Sequence, residues 1–294
     1  MIEIRNLTVR YGSTVAVDDL TLDLPTGKVY GLLGRNGSGK TSLLSALASY
    51  RRPTVGTVTW DGVDPFENAA LMGDTTFIRD TLDVVPGSRI RRALDFAGRL
   101  RGGFDRAYAD RLVEVFGLDP RRQVGALSRG QRSALGVVLG LAARSPLTIL
   151  DESYLGMDAA TRTTFYRELL ADYLAHPRTI VLSTHLIDEV AGLFERVIMI
   201  DHGRLVLHEE ADELKGRGAT VTGPAAAVDA FVADRTVLAV RALGGVKEAT
   251  VYGRLDPTGA TRAGLTVGPV GLQDLFVHLT SGPSAGAQTV EANR

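Results

Sequence analysis

Apolar and polar residues alternate along the first 24 residues of the chain. The apolar positions fall into two sets with a spacing close to two: Ile2, Ile4, Leu7, Val9 and Tyr11, followed by Leu20, Leu22 and Leu24. This period is typical of strands with one buried face, and it predicts a pair of antiparallel strands. A further strand is predicted at Val55–Trp60, because that run ends at the turn signal Asp61-Gly62.

Beyond residue 28 the pattern changes to short apolar runs that are separated by helix-like segments. The apolar runs predict buried strands at residues 29–33, 147–150, 179–182 and 197–200. Helices are predicted in the gaps, at residues 159–174 and 187–194. Strands that alternate with helices favour a mainly parallel sheet with helices on both faces. The turn sequence Asp201-His202-Gly203 predicts a hairpin that leads into residues 204–207.

The composition of the segments predicts the domain boundaries. Residues 81–145 are rich in Arg, Ala and Leu and predict a helical subdomain within a first domain of residues 1–215. A shift in composition near residues 216–223 opens a small α+β accessory domain, which is predicted to extend to residue 280. Residues 281–294 have no apolar periodicity and predict a flexible tail.

Charge and cysteine content exclude several classes of protein. The chain has 33 Lys and Arg against 34 Asp and Glu, a net charge of −1. It therefore lacks the excess of basic residues that would indicate a nucleic-acid partner. It has no cysteine, which excludes disulfides and cysteine metal sites and fits a reducing compartment. No stretch reaches 18 uncharged apolar residues, and the N-terminus lacks the apolar core of a signal peptide. We therefore expect that the chain does not span a membrane by itself.

A glycine-rich loop follows the first buried strand and precedes a helix-like run. It has the pattern G-x-x-x-x-G-K-T and consists of Gly34, Arg35, Asn36, Gly37, Ser38, Gly39, Lys40 and Thr41. Glycines let backbone N–H groups face a phosphate, and the helix start adds the positive end of its dipole. Lys40 can then reach the β- and γ-phosphates, and Thr41 can offer its hydroxyl to Mg²⁺. The loop predicts a nucleoside triphosphate site.

Two further segments carry groups that are suited to phosphate chemistry. The strand predicted at residues 147–150 is followed by Asp151, which can hold Mg²⁺, and Glu152, which can polarise an attacking water. Ser128 and Gln131 have the spacing of a capping box, which predicts a helix that begins there. One interpretation is a well-capped buried helix. The other is an anion site at the helix start, with Gly130 allowing a close approach.

These motifs, in this order over residues 1–215, resemble the nucleotide-binding domain of ABC transporters. The resemblance implies further roles. Tyr11 would stack on adenine, and Ser42 is the hydroxyl that follows Thr41. His185, in the sequence "STH", would be the switch histidine. A group of residues would bind the ATP that a partner chain holds: Ser128, Arg129, Gly130 and Gln131 of the signature, and Asp158 of the D-loop.

The resemblance also implies a fold and an activity. The fold is a P-loop NTPase of the α/β class, with a mainly parallel sheet, an antiparallel β subdomain, a helical subdomain and the C-terminal appendix. Two chains, identical or similar, would sandwich two ATP molecules with Mg²⁺, and Glu152 would act as general base or orient the water. Hydrolysis would drive a separate transmembrane permease from the cytoplasmic face of the membrane. The short helical segment and the appendix resemble the ATPases of bacterial drug, antibiotic or lipid exporters.

Departures from the family pattern leave alternatives open. Arg129 replaces the first glycine of the signature, and Ser153 replaces the usual proline after the catalytic glutamate. Asp80 stands where the family has the glutamine of the Q-loop, either as a ligand of Mg²⁺ or as a surface aspartate. One alternative function is a soluble ATP-switched module without a transporter. Another is a sensor with slow turnover.

Overall fold

The computed structural model describes residues 1–253 and 255–280. The chain divides into two compact units. The first contains residues 1–185 and 192–208, and the second contains residues 186–191 and the described residues from 209 to 280. The sequence placed the boundary at residue 215. Each unit has its own hydrophobic core.

The strands up to residue 210 form two sheets. They are β1 (Ile2–Tyr11), β2 (Thr14–Leu24), β3 (Val29–Leu33), β4 (Val55–Trp60), β5 (Thr75–Ile78), β6 (Leu147–Asp151), β7 (Thr179–Thr184), β8 (Arg196–Asp201) and β9 (Arg204–Glu210). Within the described residues, one sheet has six strands in the order β5-β6-β7-β3-β8-β9. Its pairs from β5 to β8 are parallel, as the alternation of strands and helices predicted.

The strands at the centre of this sheet are buried along their whole length. Every residue of β3, β6 and β7 is buried, because both faces of the sheet are covered, and this explains the unbroken apolar runs in the sequence. The predicted hairpin between β8 and β9 is confirmed. Its two loop residues, His202 and Gly203, have φ angles of 45° and 78°, the left-handed pair that a tight hairpin turn requires.

The second sheet is antiparallel, with the order β2-β1-β4. Ile4 of β1 lies opposite Leu22 of β2 on one side and Val58 of β4 on the other, which confirms the period-two prediction. The buried faces of these strands belong to the same core cluster as Leu43 and Leu44 of the helix that follows the glycine-rich loop. This shared core fixes that helix against both sheets.

The helices of the first unit are α1 (Lys40–Leu47), α2 (Ala69–Gly73), α3 (Ile90–Leu100), α4 (Arg106–Val115), α5 (Arg129–Ala142) and α6 (Ala159–Ala175). The helical segment begins later than predicted, because residues 81–89 form turns around Pro86 and Gly87. A short 3₁₀ turn, Val124–Ala126, leads into α5. In residues 1–253 and 255–280, no helix has both the length and the apolar character needed to cross a membrane.

The second unit is an α+β domain, as the sequence indicated. Its elements are α7 (Ile187–Val190), α8 (Ala211–Lys215), β10 (Gly218–Pro224), α9 (Ala225–Val232), β11 (Thr236–Leu243), β12 (Val246–Tyr252), α10 (Pro257–Arg262), β13 (Thr266–Pro269) and α11 (Leu272–Thr280). The order β11-β12-β10-β13, all antiparallel, gives a βαββαβ arrangement of the ferredoxin-like type. The tail predicted at residues 281–294 lies outside the described residues.

A buried ion pair joins α6 to the start of β7 and so fixes the strand that leads to the site. Arg178 Nη2 donates to Asp172 Oδ2 at 2.6 Å, and their side chains are 5% and 1% exposed. Arg178 also donates to the hydroxyl of Thr148 on β6. The pair therefore ties the helix to two neighbouring strands of the parallel sheet.

Asp172→Asn is expected to lower the free energy of unfolding by about 3–5 kcal/mol, because it leaves the buried guanidinium without its counter-charge. Urea denaturation measures this loss. Asp110→Asn is the matched control, since it removes an exposed carboxylate that pairs with Arg106 on α4, and it should cost less than about 1 kcal/mol. Equal losses in the two variants would contradict this account of the buried pair.

Candidate active site

The carboxyl ends of β3, β6 and β7 meet at one edge of the parallel sheet. The glycine-rich loop follows β3, Glu152 follows Asp151 at the end of β6, and His185 follows β7. Loops at this edge are the usual ligand sites of open α/β sheets. The fold thereby brings the glycine-rich loop next to two segments that follow it by more than a hundred residues in the sequence.

Backbone geometry shapes the loop for an anion. Gly39 has a φ of 103°, and a Cβ there would lie 2.2 Å from the carbonyl oxygen of Ala16, so only glycine fits. Gly39 also precedes α1, whose first turn has no side-chain cap among the described residues. The N–H groups at the start of α1 therefore face the loop, and phosphate oxygens are their natural partners.

Of the other loop residues, Ser38 is buried and those at the loop tip are exposed to solvent. Ser38 is 3% exposed, and its hydroxyl has no hydrogen-bond partner in the described residues. A buried hydroxyl without a partner is costly, so this atom fits a loop that is completed by a phosphate. Arg35, Asn36 and Gly37 are exposed at the loop tip, and Ser42 lies in the first turn of α1.

The ammonium group of Lys40 lies at the mouth of the loop, where it contacts two carbonyl oxygens and a carboxylate. Lys40 is 5% exposed, and its Nζ donates to the carbonyl oxygens of Gly34 at 2.8 Å and Arg35 at 3.2 Å. Glu152 Oε1 lies 3.3 Å from the same nitrogen. The loop thus holds a desolvated positive charge that is balanced in part by the carboxylate, and a bound phosphate would be a second counter-charge.

Asp151 is buried between two hydroxyl donors. Its Oδ2 accepts from Thr41 Oγ1 at 2.7 Å, and its Oδ1 accepts from Ser183 Oγ at 2.5 Å. Burial raises the pKa of this carboxyl, and the hydrogen bonds from Ser183 and Thr41 oppose that rise. A carboxylate next to a hydroxyl is a donor set that suits Mg²⁺, so Thr41 and Asp151, two of the three predicted metal ligands, lie together.

Glu152 has a strained backbone. Its φ is 46°, in the left-handed region that non-glycine residues rarely adopt. Its backbone N–H donates to Ser183 Oγ at 3.0 Å, so Ser183 connects both acidic residues. Glu152 Oε1 also lies 3.5 Å from His185 Nδ1. The two residues predicted to be catalytic are therefore neighbours.

Two residues of this network were not predicted as site residues. Ser183 connects Asp151 to Glu152, and the Tyr154 hydroxyl lies 3.1 Å from His185 Nδ1. Both lie beside residues with predicted roles: Ser183 opens "STH", and Tyr154 lies between Glu152 and Asp158 of the D-loop. A polar residue at a strand end next to a catalytic motif was the signal available for each.

The signature residues and Asp158 form a second group, at the starts of α5 and α6. The predicted capping box is confirmed, because Ser128 Oγ accepts from the Gln131 N–H and Gln131 Oε1 accepts from the Ser128 N–H. Gly130 lies so near the backbone of Gly156 that a Cβ would be 2.3 Å from its carbonyl oxygen. Asp158 caps α6 by accepting from the Thr161 N–H, which lowers the pKa of Asp158.

Asp80 lies against the signature. Its Oδ2 is 3.9 Å from Arg129 Nη2, so the two departures from the family pattern form an exposed ion pair. In the described part of the chain, no three His, Cys, Asp or Glu side chains form a group that could hold a metal. Asp80 is therefore not clustered with Asp151 and Glu152, and a metal contact from Asp80 stays a prediction.

Tyr11 lies at the end of β1 and is about half exposed. The guanidinium of Arg51 lies over its ring, 3.9 Å from the centroid. The same guanidinium donates to the carbonyl oxygen of Arg10. Arg51 therefore covers one face of the Tyr11 ring. Stacking of adenine on Tyr11 stays a prediction.

Comparison with known proteins decides the family. A family model described as "ABC transporter" matches residues 17–154. The bacitracin transport ATP-binding protein BcrA of Enterococcus faecalis is 32% identical over 227 residues, which are 76% of this chain and 73% of that protein. The chain belongs to the family of ABC transporter ATP-binding proteins. The resemblance inferred from the motifs is thereby confirmed, and with it the class of ATPase subunit.

Other similarities agree with this assignment. The doxorubicin resistance ATP-binding protein DrrA of Mycobacterium tuberculosis is 31% identical over 218 residues, 70% of this chain and 64% of that protein. A dimeric ATP-binding cassette in a post-hydrolysis state, bound to ADP and phosphate, has a TM-score of 0.64 at 20% identity. It covers 72% of this ABC protein and 99% of its own chain. This structural likeness confirms the predicted P-loop fold.

Ser183→Ala is expected to move the acidic limb of the pH profile of ATP hydrolysis upward by about one pH unit. The hydroxyl of Ser183 lowers the pKa of Asp151, so its removal lets burial raise that pKa further. The carboxylate is then ionised only at higher pH. The measurement is kcat as a function of pH for both proteins.

The matched control is Ser145→Ala, since Ser145 is also buried but its hydroxyl contacts Thr76 instead of an acidic residue. This variant should keep the profile of the unmodified protein. An unchanged profile in Ser183→Ala would show that Ser183 does not set the ionisation of Asp151.

Proposed function

We propose that this chain is the ATP-hydrolysing subunit of an exporter, and that it works as a dimer which sandwiches two ATP molecules and drives a separate membrane permease. One observation carries the proposal. Lys40, the Thr41–Asp151 pair and the Glu152–His185 pair converge at the ends of three adjacent parallel strands.

Nucleotide binding follows from the loop. The open N–H groups at the start of α1 and the buried Ser38 hydroxyl would bind phosphate oxygens, and Lys40 would exchange part of its contacts with carbonyl oxygens for the β- and γ-phosphates. Thr41 and Asp151 would hold Mg²⁺, which neutralises phosphate charge when it is bound. Asp80 is the remaining proposed metal contact, and Tyr11 would stack on the adenine ring.

Hydrolysis needs a positioned water at the γ-phosphate. Glu152 has a carboxylate at the mouth of the loop and a backbone that is fixed by Ser183, so it can orient that water and accept its proton. His185 lies beside this carboxylate and would donate to the γ-phosphate. Its side chain is 38% exposed, which leaves it accessible to the nucleotide.

The second group of residues would complete the site of a partner chain. Ser128 and Gln131 satisfy each other in the capping box, and Gly130 packs on the Gly156 backbone, so the start of α5 is rigid. A rigid helix start can direct N–H groups at a γ-phosphate bound by another copy, or by a similar ATPase. Arg129 and Asp158 would lie at the same interface.

The exporter assignment is drawn from the relatives. One is named for bacitracin transport and one for doxorubicin resistance, and both names describe ATP-binding proteins. We infer a similar role here, in which the chain lies at the cytoplasmic face of the membrane against a permease that selects the cargo.

The proposed roles of Lys40 and Glu152 predict that one substitution weakens ATP binding and the other leaves binding intact but slows hydrolysis. Lys40→Ala should weaken ATP binding by about 10- to 100-fold, because it removes a charged donor to the phosphates.

Glu152→Gln should keep ATP binding and lower kcat by at least ~100-fold, because the water loses its base. With Mg-ATP, this variant should sediment at twice the monomer mass.

Binding is measured by titration with labelled ATP, and Lys215→Ala serves as the control, since Lys215 is an exposed lysine that pairs with Asp212. If Glu152→Gln stays monomeric at saturating Mg-ATP, the ATP sandwich of two copies is wrong. If it turns over ATP at the normal rate, Glu152 is not the base.

The membrane partner is tested by purifying the tagged chain from detergent-solubilised native membranes. We expect a polytopic protein in a fixed ratio to the chain. Recovery of the chain only in the soluble fraction, under conditions that preserve other membrane complexes, would favour a soluble ATP-switched module. A partner found together with negligible ATP turnover would favour a sensor.

A further inference from the structure

Arg51 and Tyr11 form a cation–π pair at the end of β1. The carbon atom at the centre of the Arg51 guanidinium lies 3.9 Å from the centroid of the Tyr11 ring, well within the range of such contacts. Arg51 Nη2 also donates to the carbonyl oxygen of Arg10 at 2.6 Å. The guanidinium therefore contacts both the aromatic ring and the backbone of the residue that precedes it.

The backbone of Arg51 is anchored at the end of α1, the helix that begins at the glycine-rich loop. Its N–H donates to the carbonyl oxygen of Ser45 at 3.1 Å. Three residues later, the N–H of Thr54 donates to the carbonyl oxygen of Thr8 at 2.8 Å, and the Thr54 hydroxyl accepts from the N–H of Arg10 at 3.0 Å. These bonds hold the segment that carries Arg51 beside β1, which keeps the guanidinium within reach of the ring.

The ring lies at a hairpin end that is close to the glycine-rich loop. Tyr11 pairs with Thr14 of β2 where β1 turns into β2. Two residues further along β2, which is about 7 Å of strand, the carbonyl oxygen of Ala16 lies 2.2 Å from the position that a Cβ on Gly39 would take. The hairpin end and the loop that would bind the phosphates are therefore neighbours.

Arg51 occupies one of the two faces of the ring. Tyr11 is 45% exposed with the guanidinium in place, so much of its surface is still open to solvent. A base stacks on an aromatic side chain through an open face of the ring. The face under Arg51 is closed to a base, which leaves the opposite face for stacking.

We propose that Arg51 is a positioning residue for the base of the nucleotide, and that its guanidinium holds the Tyr11 ring so that a purine stacks on the opposite face. This inference rests on the proposed function for the identity of the ligand. Without Arg51 the ring loses the contact that orders it, and ordering it then costs part of the binding free energy of the nucleotide. The same helix, α1, would thus serve the phosphates at its start and the base at its end.

The first measurement compares ATP with inorganic tripolyphosphate, which has the phosphates and no base. Arg51→Ala should weaken ATP binding by about 3- to 10-fold and leave tripolyphosphate binding within about twofold. KM for ATP should rise with kcat unchanged within about twofold, because stacking of the base contributes equally to the ground state and the transition state. Binding is measured by titration with labelled ATP, with tripolyphosphate as the competitor. Equal losses for both ligands would show a general defect of the site and overturn the proposal.

Arg52→Ala is the matched control. Arg52 is the adjacent arginine, and its guanidinium lies over the ring of Phe66, 4.5 Å from the centroid. The substitution removes the same charge and a contact of the same kind, away from Tyr11. It should leave the affinities for ATP and tripolyphosphate unchanged. Equal losses of ATP affinity in the two variants would assign the effect to net charge and overturn the proposal.

A double-mutant cycle tests whether Arg51 acts through the ring. Tyr11→Ala should weaken ATP binding by about 10-fold. In the Tyr11→Ala background, Arg51→Ala should have no further effect, because the ring that it positions is gone. Additive losses in the double variant would show that Arg51 acts on the nucleotide without Tyr11, and the positioning role would be wrong.

The results separate this inference from the proposed function. If the unmodified protein binds and hydrolyses ATP but Arg51→Ala binds it equally well, the proposed function stands and the positioning role is wrong. Tighter binding by Arg51→Ala would show that the guanidinium covers the face that adenine needs, and would also overturn the inference. If ATP binding depends on Arg51 as expected but no hydrolysis occurs, the positioning role stands and the proposed function fails.

Discussion

The structure depends on keeping opposite charges buried side by side at the ends of the central strands. Lys40 and Asp151 are each about 95% buried, and the carboxylate of Glu152 lies within 3.3 Å of the ammonium. Burial of isolated charges costs several kcal/mol per ion, so each must be compensated. Two backbone carbonyls compensate Lys40, and the hydroxyls of Thr41 and Ser183 compensate Asp151. The parallel sheet meets this requirement because it brings the three strand ends together.

Rigid backbone at the same edge of the sheet helps to keep these buried charges and their partners in place. Gly39 adopts a conformation that a side chain would prevent, and Glu152 is held in a left-handed conformation by the contact of its N–H with Ser183. Such strain costs on the order of 1–3 kcal/mol and persists only where the surrounding structure enforces it. Here the strands on both sides are fully buried. The core therefore stabilises a geometry that the loops alone would not keep.

Local sequence predicted the elements of this edge better than their contacts. The unbroken apolar run of β3 gave the strand and its bounds, and the glycine pattern gave the loop, because both signals lie within a few adjacent residues. The first turn of the helical segment was misplaced, because Pro86 and Gly87 end the helical pattern more strongly than the flanking Arg and Leu residues extend it. Short helices such as α8 and α10 carry too little periodicity to stand out.

The missed site residues have a different cause. Tyr154 and His185 are 31 residues apart, and Ser183 meets Asp151 only because β6 and β7 pair in a particular register. That register is a property of the whole sheet, which no local pattern contains. The pairing of Asp80 with Arg129 likewise depends on how α5 packs beside β5, so two departures that look independent in the sequence become one feature in the fold.

The buried and exposed charges of this site differ in how much free energy it costs to separate them from their partners. The contacts among Lys40, Asp151 and Glu152 are shielded from water, so separating them without a substitute partner is costly. Asp80 and Arg129 are exposed, and a pair of that kind contributes less than about 1 kcal/mol and is screened by salt. Arg129 can therefore exchange its partner at little cost, whereas Lys40 can do so only when a phosphate takes the place of the carboxylate. The contacts at this edge of the sheet therefore hold their geometry until a phosphate replaces the carboxylate, while the exposed Arg129 side chain on the rigid start of α5 can pair with another charge.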